Sequence, residues 1–112
     1  MMEVERRHLA DTLENHYRSQ GWPVEKAQDG LLRASGPGGV TWLGAAVVSD
    51  DLASEDFAER LVDLASRRMK GGAELCPLDL LAAPECEGEL RSLLDRVGLG
   101  GRPHVSLYSR AA

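Results

Sequence analysis

The chain is 112 residues long, 43% hydrophobic and 28% charged, with a formal net charge of −5. That balance belongs to one folded domain with a modest core rather than to a disordered segment. The acidity weighs against a broad basic face for nucleic acid, and no apolar run approaches the roughly 18 residues that cross a bilayer.

The opening residues, MMEVERRHLAD, lack the apolar centre of a signal peptide, so the cytoplasm is the expected compartment. Met2 to Gln20 then predicts a first helix. Met2, Leu9, Leu13 and Tyr17 form its apolar stripe, with Val4 and Ala10 beside it. Gly21 ends the helix, and Trp22 stands where a Schellman stop sets an apolar residue against Tyr17. Pro23 to Ala27 predicts a short strand, with Pro23 at its start, where a missing N–H is tolerated. Asp29-Gly30 is a hairpin signal. Leu31 to Ser35 pairs back, and Gly36-Pro37-Gly38-Gly39 turns the chain once more.

Val40 to Val48 is apolar or small at almost every position, the pattern of a strand buried on both faces. Gly44 with Ala45 and Ala46 leaves little bulk at its middle, which allows close approach by a neighbouring element. Ser54 is the expected N-cap of a helix carrying Phe57, Leu61, Leu64, Ala65 and Met69 on one face. Glu55, Asp56 and Glu59 at its start, and Arg67, Arg68 and Lys70 at its end, complement the helix dipole. Gly71 and Gly72 supply the stop.

A strand followed by a helix opens a crossover, so Ala73 to Cys76 is expected to return beside the central strand. Pro77 interrupts it, and Leu78 to Leu81 either continues the strand or turns. Glu87 to Val97 predicts a helix with Leu90, Leu93, Leu94 and Val97 inward. Gly98 stops it and Leu99 packs back on Leu94. Pro103 to Ser109 closes the chain as an alternating strand, Val105 and Leu107 on one face and His104, Ser106 and Tyr108 on the other, as suits an edge. The expectation is a single α/β (α+β) domain over residues 1–112, ordered α-β-β-β-α-β-α-β, with a mixed sheet centred on residues 40–48.

Few residues suggest chemistry. Asp50, Asp51 and Glu55, near Asp56 and Glu59, gather at the carboxyl end of the central strand, where α/β sheets often bind ligands. They are candidates for Mg²⁺ or Ca²⁺, although the helix dipole accounts for acids there and the spacing is not that of an EF-hand. His8 and His16 lack a third ligand at zinc spacing and read as solvated. His104 reads as a surface residue able to titrate near neutral pH. Cys76 and Cys86 fit neither a CxxC pair nor a zinc ribbon and read as reduced thiols. The GPGG run lacks the Lys-Ser/Thr of a phosphate loop, and no serine sits in a G-x-S-x-G elbow. Arg67, Arg68, Lys70 and Arg102 would form a modest anion or nucleic-acid patch if the fold gathers them with Arg91 and Arg96. As solvated helix ends they need no ligand.

The first helix ending in HYRSQGW, the three-strand meander and the strand-helix-strand that follows resemble the restriction-endonuclease-like fold. The chain looks like the small Holliday-junction-resolvase and YraN-type members in particular, over roughly Leu9 to Leu81. The resemblance implies a divalent metal held by an acid on the second strand and by a Glu-x-Lys or Asp-x-Lys on the third. This chain departs from that pattern. It has Leu31-Leu32-Arg33 and Leu43-Gly44-Ala45-Ala46-Val47 at those places, and its only lysines are Lys26 and Lys70. The functional expectation is therefore a non-catalytic binding domain without a cofactor. Its expected partner is protein, a second copy of the chain included, at an edge holding Val105 and Leu107. The alternative is a degenerate nuclease-like domain that binds nucleic acid.

Overall fold

The computed structural model describes residues 2–27, 31–69 and 74–109. Helix α1 (Met2–Ser19) leads into strands β1 (Val24–Lys26), β2 (Leu31–Ser35) and β3 (Thr41–Val47). Helices α2 (Ser49–Ala53) and α3 (Phe57–Ala65), strand β4 (Leu78–Ala82), helix α4 (Glu87–Arg96) and strand β5 (Val105–Ser109) follow. The strands lie in the order β1-β2-β3-β4-β5. The first three pair antiparallel, and β4 and β5 continue parallel to β3. This is the mixed α+β sheet that the element order predicts, with β3 at its centre.

The GPGG run makes the β2–β3 turn because Gly38 and Gly39 take φ of +73° and +81°, a region unfavourable to other residues. The Gly36 N–H donates to the Val40 carbonyl across it at 2.8 Å. Both long helices end in Schellman stops. In α1 the N–H groups of Trp22 and Gly21 donate to the carbonyls of Tyr17 and Arg18, and beyond α4 those of Leu99 and Gly98 donate to Leu94 and Asp95. Trp22 stacks on Tyr17, ring centres 6.3 Å apart, as the stop requires.

Pairing register sets the two faces of the sheet. Gly44 lies opposite Leu32 and Asp79, and Asp79 opposite Ser106. Trp42, Gly44, Asp79, Leu81 and Tyr108 therefore share the face covered by α1. Both crossovers, β3 to β4 and β4 to β5, advance in one direction, so right-handed connections place α3 and α4 together on the other face. There Leu31 and Ala45 meet Phe57, Leu61 and Leu64, while Val105 and Leu107 meet Leu94 and Leu99. Strand β4, covered on both sides, is buried along its whole length.

Five expectations are corrected. A short helix, α2, precedes the one predicted from Ser54, because the Asp51 carboxylate accepts the Val48 N–H at 3.0 Å and starts a helical turn directly at the end of β3, where the sequence predicts none. Ser54 does not cap: its hydroxyl donates to the Asp56 carboxylate at 2.6 Å, and Asp56 occupies the N-cap position of α3. The helix also stops at Ala65 instead of running to Lys70. Residues 67–69 pair with residues 74–76 as a small antiparallel ladder, Met69 N–H to Glu74 C=O and Cys76 N–H to Arg67 C=O, both 2.8 Å. The returning strand is accordingly Leu78–Ala82 and not Ala73 to Cys76. Pro77 stands just ahead of it and offers its carbonyl to the Leu43 N–H at 2.8 Å. On α1, Leu9, Ala10, Leu13 and Tyr17 are buried, but Val4 is 53% exposed and stands off the stripe. The Asp29-Gly30 turn, the Gly71-Gly72 stop and the side chain of Met2 lie outside the described residues.

Candidate functional site

Among the described residues three charged side chains are buried in this core, and each has a partner across the fold. Arg6 on α1 donates to Asp51 on α2 at 2.8 Å, with both side chains about nine-tenths buried. The third is Asp79 on β4, 7% exposed, whose Oδ2 accepts the Tyr17 hydroxyl from α1 at 2.9 Å. Gly44 explains how Tyr17 reaches it. A Cβ on Gly44 would lie 2.7 Å from the Tyr17 hydroxyl oxygen, so only glycine leaves room for the phenol over β3.

Burial pushes the Asp79 carboxyl above the ordinary carboxylate range, while the Tyr17 hydroxyl and the nearby His16 pull against that shift. Burial, and then the charge of Asp79, push the Tyr17 phenol far above its usual value. Tyr17 is therefore a fixed hydrogen-bond donor and not a base at any working pH. Its bond engages one carboxylate oxygen, and Oδ1 has no hydrogen-bond partner among the described residues.

Asp79 lines a groove of about 380 Å³ between α1 and the β4–β5 side of the sheet. Helix α1 contributes Thr12, Leu13 and His16 to it; the sheet contributes Trp42, Leu81 and Tyr108. The lining is mostly apolar and aromatic around one carboxyl group with a perturbed pKa, the usual make-up of a small-molecule site. Tyr108 is 54% exposed at its mouth and belongs to β5, the outermost strand.

The two sheet edges differ. Strand β1 is three residues long, follows Pro23 and carries Glu25 and Lys26, all features that blunt an edge. Strand β5 is five residues long and reads Val-Ser-Leu-Tyr-Ser, with no charge and no proline. The Leu78 N–H donates to the His104 carbonyl at 2.7 Å, so in a parallel ladder residues 104, 106 and 108 bond toward β4. The backbone groups of Val105, Leu107 and Ser109 point outward. The Val105 N–H closes a turn on Arg102 at 3.1 Å; among the described residues the others have no backbone partner.

The acidic residues expected to gather do not act together. Asp51 is buried on Arg6 and Val48, whereas Asp50 and Glu55 are exposed. No group of three or more metal-ligating side chains occurs among the described residues. Arg67 pairs with Asp63 on α3 at 3.1 Å, Arg68 bridges to Leu75, and Arg102 precedes β5; Lys70 lies outside the described residues. His104 is not simply a surface residue: its Nε2 donates to the Ala65 carbonyl at 2.7 Å, tying the entry of β5 to the end of α3. Both cysteines are free, buried and raised in pKa by that burial; Cys86 packs its thiol against the Val47 and Ala83 carbonyls.

The Asp79 groove was missed in the sequence, although a signal was there. Asp79 is the one charged residue in the run from Leu78 to Ala83, flanked by apolar positions on a strand buried on both sides, and such a residue needs a partner. No family model, curated protein or solved structure matches this chain. Among the described residues no helix is long and apolar enough to cross a membrane.

Proposed function

We propose that this chain is a non-catalytic interaction domain that works by strand addition at β5, its partner being a second copy of itself. The observation that carries the reading is the unprotected edge: β5 offers outward-facing backbone groups without the charge, proline or shortness that blunt β1. A twofold axis at Leu107 would set it against its own copy and pair Ser109 with Val105 in both directions. Leu107 would then meet Leu107 beside α4. Arg91 and Asp95, which flank β5 from α4, would face their counterparts with opposite charges within reach.

Ser109→Pro is the discriminating variant. It removes an outward N–H and no bond to β4, and Ser109 is exposed. In sedimentation velocity the wild type should run as a dimer and the variant as a folded monomer at the same concentration. A wild type that stays monomeric at several hundred micromolar, or a variant that still dimerises, would end this reading.

A second reading has one observation in its favour. The bonds from His104 to Ala65, from Leu78 to His104 and from Cys76 to Arg67 bring Arg67, Arg68 and Arg102 to the same end of the sheet. A degenerate nuclease-like domain would use that end to hold nucleic acid. It would bind a mixed oligonucleotide pool with an affinity that falls steeply with salt. Absence of binding at 20–50 mM salt, about the range where such contacts are strongest, would dispose of it.

A further inference from the structure

We infer that the Asp79 groove is a binding site for a small organic cation, a primary amine carried on an aromatic or apolar body. This stands on the groove alone and does not depend on strand addition at β5. Asp79 lines the cleft, 7% exposed, with Oδ2 held by Tyr17 and Oδ1 without a hydrogen-bond partner among the described residues. An ammonium group donating to Oδ1 completes the carboxylate and adds to the compensation that Tyr17 and His16 already give its charge. The walls suit the rest of such a molecule. Trp42 and Tyr108 line the cleft with aromatic rings, the side chains that attract a cation and stack on a ring, and Leu13 and Leu81 add apolar surface.

Anions and neutral polar ligands fit less well. The lining has no lysine or arginine to hold an anion, and the hydroxyl of Tyr17 is already committed to Asp79. The Tyr17–Asp79 bond also preorganises the carboxylate, so little ordering is left for the binding step. Tyr108 reaches the cleft from an exposed position, which leaves the mouth open for entry.

The test is a titration of backbone amide NMR resonances at pH 7.5 with phenethylamine, and in parallel with 2-phenylethanol, its neutral counterpart. The amine should bind saturably, shifting residues 12–17, 79–81 and 108, and the alcohol should bind at least tenfold more weakly. Asp79→Asn, which keeps an acceptor for Tyr17, should weaken the amine at least tenfold. Tyr108→Ala, at an exposed position, should weaken it severalfold. Equal binding of amine and alcohol, shifts elsewhere on the molecule, or no saturation by 10–20 mM, about the weak limit for a ligand of this size, would each overturn the inference. The comparison of amine with alcohol uses the wild-type chain, so it decides the matter even if Asp79→Asn does not fold.

Discussion

Replacing Gly44 with alanine would place a methyl group 2.7 Å from the Tyr17 hydroxyl and 3.1 Å from its ring. Tyr17 has nowhere to retreat, being 1% exposed and stacked on Trp22. The expected cost is about 1–3 kcal/mol of stability, typical of an overpacked core, measured by urea unfolding. A second prediction concerns Asp79 itself. Its carboxyl titrates above the ordinary range in the folded chain, so the folded state binds the proton more tightly than the unfolded one. Stability from this group is complete below the unfolded value and is lost as pH rises through the raised one. Asp79→Asn removes that dependence while leaving an acceptor for Tyr17. The melting temperature of the wild type relative to Asp79→Asn should therefore increase as pH is lowered from 7 toward 4. Glu5, also raised through its hydrogen bond to Glu85, is common to both proteins and cancels. A difference that stays constant with pH would contradict the assignment.

Among the elements, helices α1 and α4, the meander and the outermost β5 follow from local patterns. Stripes at helical spacing, glycine stops and a both-sides-apolar strand each point to one structure, and the Schellman bonds at Tyr17–Trp22 and Leu94–Leu99 bear this out. The region between β3 and β4 was not legible in the same way. Its outcome depends on a long-range contact, Arg6 with Asp51, and on the ladder between residues 67–69 and 74–76. Neither leaves a periodic trace. The acidic run at 50–56 looked like a helix start and a metal candidate for the same reason, since charge patterning alone does not separate a buried carboxylate from a solvated one. Asp51 tells them apart. Its replacement by alanine removes the buried carboxylate that Arg6 donates to and frees the Val48 N–H, and should cost about 3–5 kcal/mol. Asp50→Asn should change stability by less than about 0.5 kcal/mol, as usual for an exposed position. Similar losses at both positions in chemical denaturation would mean that Asp51 is not the anchor.

At the scale of the whole molecule, the sheet is asymmetric. One edge is short, charged and preceded by proline; the other is long, neutral and bordered by a groove. An isolated chain gains nothing from leaving β5 unprotected and runs the risk of non-specific pairing. A specific dimer removes that risk, and it links stability to concentration, because unfolding then releases two chains. A tenfold rise in concentration favours such a dimer by about 1.4 kcal/mol, shared between two chains, which for a domain of this size raises the melting temperature by about 3–5 °C. The wild type should show that rise between 10 and 100 μM, about the range in which modest dimers populate, and Ser109→Pro should melt at one temperature throughout. The variant's own melting temperature, at a concentration where the wild type is also monomeric, should match the wild type, because Ser109 is exposed and its N–H does not bond to β4. A wild-type melting temperature independent of concentration would leave β5 an edge without a partner strand, and the function would then have to be sought in the Asp79 groove alone.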